Sequence, residues 1–181
     1  PLIQVDFGFL GLEGSPTEKA TVLAAIDVTS GLATAVVVPS KSISNYSVAE
    51  LKRFVLETGR TGCVLQSDGE PAMKALLAKL CGDMPGLSVR TSPAHDKESQ
   101  GSVERFFQTL FGIARTLREA LETSAGFKIT SVSHPIVPWI VRHATWLYNR
   151  YLVHSDGLTS YERRWEKKFH SALCRFGEVI Q

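Results

Sequence analysis

Long hydrophobic runs are missing from this sequence: no stretch approaches about eighteen consecutive apolar residues, which excludes a helical membrane span. Its N-terminus lacks a charged region followed by an apolar run and a cleavage site, so no secretory signal is visible. Cysteine is scarce as well. Cys63, Cys81 and Cys174 are odd in number and far apart, and they form no C-x-x-C pair with nearby histidines, which argues against both a disulfide framework and a zinc site. Reduced thiols in an intracellular protein are expected. Internal repeats, low-complexity runs and an internal linker are also lacking. No Met opens the chain, and the abrupt start at Pro1 suggests a processed or excised piece with neighbouring domains outside it.

What is present suffices for a core: 181 residues, 44% of them apolar. One domain over residues 1–181 is expected, with 1–155 as core and 156–181 as a C-terminal extension. The net charge of +2 hides an asymmetry. Residues 1–96 hold eight Lys/Arg against ten Asp/Glu, whereas residues 97–181 hold twelve against eight. A basic second half is compatible with a nucleic-acid partner but too weak to argue for one alone.

The first forty residues read as three strands, Leu2–Leu10, Ala20–Thr29 and Leu32–Val38, with Ser30-Gly31 as the turn of an antiparallel hairpin. An amphipathic helix follows, with Val48, Leu51, Phe54 and Val55 inward, Ser47 as N-cap and Gly59 as its stop. The short apolar run Cys63–Gln66 ends at Ser67-Asp68-Gly69. Pro71 opens a helix carrying Met73, Leu76, Leu77 and Leu80, and Leu87–Thr91 reads as a strand. Val103, Phe106, Phe107, Leu110, Phe111, Ala114, Leu117 and Leu121 keep one apolar stripe through about five turns. A last helix, Pro135 to Val153, is expected to turn Ile136, Ile140, Ala144, Leu147 and Tyr151 inward. This order, β-β-β-α-β-α-β-α-α, is that of an α/β domain with a mixed sheet.

Three carboxylates occupy unusual settings. Asp6 lies inside an apolar strand, where an acid needs a cation or hydrogen bonds to offset its burial, and a metal would supply this. Asp68 ends the fourth strand. Glu104 is about 100° around the long helix from Val103, at the edge of the buried stripe. Lys97, Gln100, Gly101 and Gln108 share its side as a polar ridge suited to a phosphate backbone. The 35 residues between Asp68 and Glu104 are weak evidence alone, since about one or two such pairs arise by chance at this acid content. Asp83 and Glu119 are such a pair and are dismissed. Taken singly, Asp68 before Gly69 reads as a turn residue, Asp6 as an arginine partner and Glu104 as an exposed helix charge. A single fold accounts for all three together. Asp27 is assigned to the adjacent turn, and Asp96 and Glu98 to the helix N-terminus.

Gln4-Val5-Asp6, the Asp27–Gly31 hairpin, Gln66-Ser67-Asp68-Gly69 and Ser99-Gln100-Gly101-Ser102-Val103-Glu104-Arg105 together resemble the integrase catalytic core of retroviruses, LTR retrotransposons and related bacterial transposases. Gly157-Leu158-Thr159-Ser160-Tyr161-Glu162, with Tyr148-Asn149-Arg150 upstream, looks like the family's Gly-x-Thr-Pro-Tyr-Glu segment, with Ser160 in place of proline and a weakened turn expected. The resemblance implies an RNase H-like fold, a five-stranded mixed sheet flanked by helices, with Asp6, Asp68 and Glu104 converging at one edge. It implies two Mg²⁺ or Mn²⁺ ions, Asp6 bridging both and Asp68 and Glu104 each holding one. The implied reaction is 3′-end processing of a mobile element's DNA followed by strand transfer, with water and then a 3′-hydroxyl as nucleophile.

Lys97 and Gln100 match family positions that contact donor DNA, and Arg105 and His95 join them as candidates. His95, in the loop Ser92–Ser99, is read first as a surface histidine and second as a DNA contact or proton-transfer aid. Trp139 and Trp146 are read as core or subunit-interface residues. Expected partners are element ends and target DNA and further copies of the chain, as a homodimer or higher oligomer, without a membrane. The implied workplace is the nucleus or a preintegration complex. The family's zinc-binding N-terminal and basic C-terminal modules are not in the sequence. Two rival readings stand beside this one: a catalytically silent DNA-binding or assembly domain, and an RNase H-type nuclease. Glycosidase-type hydrolysis by paired carboxylates is set aside, because nothing resembles a sugar cleft.

Overall fold

Apolar residues alternate or run continuously along three segments, and these become strands β1 (Leu2–Leu12), β2 (Ser15–Asp27) and β3 (Ala33–Val38). The structure is a computed structural model that describes residues 1–12, 15–60, 62–92, 100–171 and 173–178. Helix α1 (Asn45–Thr58), β4 (Cys63–Ser67), α2 (Pro71–Asp83), β5 (Leu87–Thr91), α3 (Gly101–Ala125), α4 (Ile136–Tyr151) and α5 (Ser160–Trp165) follow. The sheet order is β3-β2-β1-β4-β5, antiparallel across β3, β2 and β1 and parallel from β1 through β4 to β5.

Each face of the sheet carries its own core. Ile3, Val5 and Phe7 of β1 pack with Leu51 and Phe54 of α1 and with Leu76 and Leu80 of α2. Alternate residues of the same strand, Leu10 and Leu12, pack with Phe106, Phe107 and Leu110 of α3 and with Ile140 and Ala144 of α4. By that alternation Gln4, Asp6 and Gly8 lie on the α3 side.

Three local expectations are corrected. The α1 N-cap is Ser44, one turn before Ser47; its extended backbone lets its side chain accept from Ser47 N–H at 3.0 Å. The inner face of α4 is Val137, Ile140, Val141, Ala144 and Tyr148, not the stripe through Ile136, Leu147 and Tyr151. Tyr148 wins because Phe106 offers it an edge-to-face seat, with ring centroids 4.7 Å apart. The short helix α5 was not foreseen, although its capping box of Thr159 and Glu162 was legible. The turn at Ser160 is not left loose, since its buried hydroxyl donates to Gly31 O at 2.8 Å and meets His154 Nε2 at the same distance.

Asn149 covers the sheet's β3 edge, accepting from Ala33 N–H at 2.9 Å and donating to Ala33 O at 2.8 Å. Asn149→Ala strands both buried groups and is expected to cost about 2 kcal/mol. Urea melts check this, and an unchanged midpoint would refute it.

Candidate active site

Asp6 is half-buried on β1, and its carboxylate accepts the N–H of Phe7 at 2.7 Å. Burial pushes its pKa up to about 6, and the negative charges of Asp68 and Glu104 push the same way against the Phe7 hydrogen bond and the Lys41 ammonium. That pattern places Asp68 and Glu104 each within electrostatic reach of Asp6. Asp68 is exposed just beyond β4 and accepts Glu70 N–H at 3.0 Å. Gly69 makes that turn with φ +83°, and a Cβ there would meet Thr91 Cγ2 at 2.5 Å, so only glycine suits the position. Glu104 projects from the first turn of α3 and is exposed.

The first turn of α3 is pinned to β1. Gln4, buried and on the Asp6 face, accepts from both Ser102 N–H and Val103 N–H at 3.1 Å. A second tie runs through Ser92, whose hydroxyl accepts from Gln66 Nε2 at 2.9 Å and from Gln100 Nε2 at 3.2 Å. Arg90 closes the network on Gln66 Oε1. Gln100, expected to meet DNA from the polar ridge, is thus buried against the protein, and its Oε1 has no hydrogen-bond partner among the described residues. Arg105 and Gln108 are exposed, as that ridge requires. His95 and Lys97, with Asp96 and Glu98, lie outside the described residues.

Two features were missed in the sequence. Lys41 stands near Asp6, gripped by Glu70 at 2.7 Å and lying over the Phe9 ring, and nothing in Ser40-Lys41-Ser42 signals it. Beside α3 a polar cavity of about 170 Å³ is lined by Ser102, Arg105, Tyr148, His154 and Arg163. Burial raises the Tyr148 pKa, and the charges of Arg163 and Arg105, which line the same cavity, act against it. Arg163 is also held by Asp156 at 2.8 Å. Asp27 has the turn role assigned to it, accepting the Ser30 hydroxyl at 2.7 Å and pairing with Arg60 at 3.1 Å. Trp139 is 65% exposed and is no core residue, whereas Trp146 stacks under Arg150.

The donor set suits a hard divalent cation: three carboxylates and no sulfur or imidazole. Among the described residues no three acidic, cysteine or histidine side chains form a group that could hold a metal ion.

By structure, the chain is similar to the catalytic core domain of BIV integrase, at 21% identity and a TM-score of 0.61, over 91% of this chain and 93% of that one. A core of HTLV-2 integrase, solved in complex with magnesium in a trimeric form, matches at 17% identity and a TM-score of 0.59, over 90% of this chain and 95% of that one. The chain has the retroviral integrase core fold. A third match, at 15% identity and a TM-score of 0.68, is a chain of the simian T-cell lymphotropic virus intasome in complex with PP2A regulatory subunit B56 gamma; it takes in 99% of this chain and 59% of that chain's length. By sequence, the chain matches no family model and no curated protein. The expected RNase H-like five-stranded mixed sheet is therefore present, and Asp68 and Glu104 both lie near enough to Asp6 for their charges to raise its pKa.

Proposed function

We propose that this chain is the catalytic core of a mobile element's metal-dependent polynucleotidyl transferase, which processes 3′ ends and joins them to target DNA. The observation that carries this reading is the half-buried strand carboxylate of Asp6, its pKa raised to about 6 by burial and then by the charges of Asp68 and Glu104, on a sheet of the integrase core fold. A half-buried carboxylate with further negative charge nearby destabilises the fold unless a cation offsets it. Asp6, Asp68 and Glu104 would hold Mg²⁺ or Mn²⁺, two ions per site. When bound, such ions activate the attacking oxygen and stabilise the leaving oxygen of a phosphodiester.

The chain's own residues hold and orient. Asp6 is fixed by its strand, Asp68 by the Gly69 turn and Glu104 by the pinned start of α3. Arg105 and Arg163 at the neighbouring cavity suit a DNA backbone phosphate, and Lys97 and His95 are further candidates on the same stretch. Gln100 would have to release Ser92 to reach DNA. Exposed Trp139 on α4 suits an interface in a homodimer or higher oligomer. This reading puts the work in the nucleus, within a preintegration complex.

The test is an Mn²⁺-dependent assay of strand joining and its reversal on branched DNA, with an RNA–DNA hybrid in parallel. Wild type is expected to join or reverse, and Asp68→Asn and Glu104→Gln to lose both. Cleavage of the hybrid alone would favour an RNase H-type nuclease. The open arrangement of the three carboxylates favours one second reading, a silent DNA-binding or assembly domain. Absence of both activity and Mn²⁺ binding would establish it.

A further inference from the structure

The start of α3 lacks a cap of its own. Gln100 stands at the N-cap with no side-chain capping bond, since its amide goes to Ser92. The first N–H groups of a helix have no partner within the helix, and buried ones must find an acceptor elsewhere. Here the acceptor is one atom on another element, Gln4 Oε1.

We infer that Gln4 is a positioning residue that sets Glu104 against Asp6. Gln4 is 4% exposed and lies two residues before Asp6 on the same face of β1, about 7 Å along the strand. It grips Ser102 and Val103, the two residues directly before Glu104. One strand therefore carries both a proposed metal ligand and the clamp that places a second one. The neighbouring strand repeats the device: Gln66 pairs in register with Gln4, lies two residues before Asp68, and reaches Gln100 through Ser92. Both ties reach the same helical turn from the strands that bear the two aspartates.

The inference rests on the metal-dependent reading of the site, and its test separates the two. Mn²⁺ affinity is measured by calorimetry on wild type, Gln4→Met, Gln4→Glu and Leu80→Val, the last a destabilising control in the opposite core. Hydrogen exchange of the Ser102 and Val103 amides is followed in each. Gln4→Met, of similar size but without the acceptor, is expected to weaken Mn²⁺ binding about ten- to a hundredfold and to expose both amides to exchange. Gln4→Glu keeps an acceptor and is expected to restore the protection of both amides. Leu80→Val is expected to lower the melting temperature and leave Mn²⁺ affinity within about twofold. Gln4→Asn, one methylene shorter, substitutes if the Met variant does not fold. Wild type that binds Mn²⁺ together with a Gln4→Met variant of equal affinity, or with amides still protected, overturns the positioning role alone. Wild type without Mn²⁺ binding overturns both it and the reading beneath it.

Discussion

Asp6→Asn is expected to abolish strand joining, by on the order of a thousandfold or more, while making the metal-free protein more stable at neutral pH. The two effects have one cause. Burial, helped by Asp68 and Glu104, raises the Asp6 pKa from 3.8 to about 6, so the folded protein resists ionising a group that the unfolded chain ionises freely. Below about pH 4 both states hold the proton and the group is neutral in effect. As pH rises from about 4 to 6 the unfolded chain gives up its proton first, so stability falls through that window, and the whole penalty is present above it. Its upper bound is about 3 kcal/mol, reduced by whatever solvent screens. An amide removes the penalty but cannot hold a cation through an anionic oxygen. Melts of wild type and Asp6→Asn at pH 4 and pH 7.5, with and without Mn²⁺, check this. The variant should be the more stable at pH 7.5 without metal, equal to wild type at pH 4, and indifferent to Mn²⁺. A variant less stable than wild type at pH 7.5 would mean that the ionised carboxylate is already satisfied by the protein, and the argument for a missing cation would fail.

The three candidate carboxylates stand out in the sequence because each breaks a local rule. An acid in an apolar strand, an Asp-Gly at a strand end and a Glu beside a buried stripe all show in the sequence by contrast with their neighbours. The long stripe of α3 was legible because 3.6-residue periodicity survives over its 25 residues. Features that depend on contacts across the fold were not. Lys41 joins the site through Glu70, 29 residues away, and nothing about a lysine between two serines reports that. Gln100 read as a DNA contact because a glutamine on a polar ridge normally faces water; that Ser92 would draw it inward depends on how β5 ends. The face of α4 was set one residue off because Ile136 and Val137, like Leu147 and Tyr148, are apolar neighbours, and only Phe106 decides between the last pair. The polar cavity beside Arg105 joins residues from α3, α4 and α5, which no spacing rule brings together.

Gly8→Ala is expected to destabilise the protein by about 1–3 kcal/mol and to impair strand joining beyond what that loss of stability explains. A Cβ at Gly8 would come within 2.5 Å of the Phe107 ring. That ring is 8% exposed and packed against Phe106 and Phe111, with centroids at 6.3 and 5.3 Å, so it has little room to turn aside. The remaining response is for α3 to lift from β1. Gly8 lies two residues after Asp6, and Phe107 three residues after Glu104; Gln4 and Val103 hold the other side of the same pair. Strand and helix thus touch closely on both sides of the carboxylates, and added bulk at Gly8 should widen the gap that a metal must span. Gly11→Ala on the same strand is the control, since a Cβ there meets nothing within 4 Å among the described residues. Phe107→Leu makes room for the added methyl, so the Gly8→Ala, Phe107→Leu double variant should lose less stability than the sum of the single changes and recover part of the joining rate. If Gly8→Ala melts and joins DNA as wild type does, the ring has moved freely and the approach of α3 to β1 is not what fixes the distance between Asp6 and Glu104.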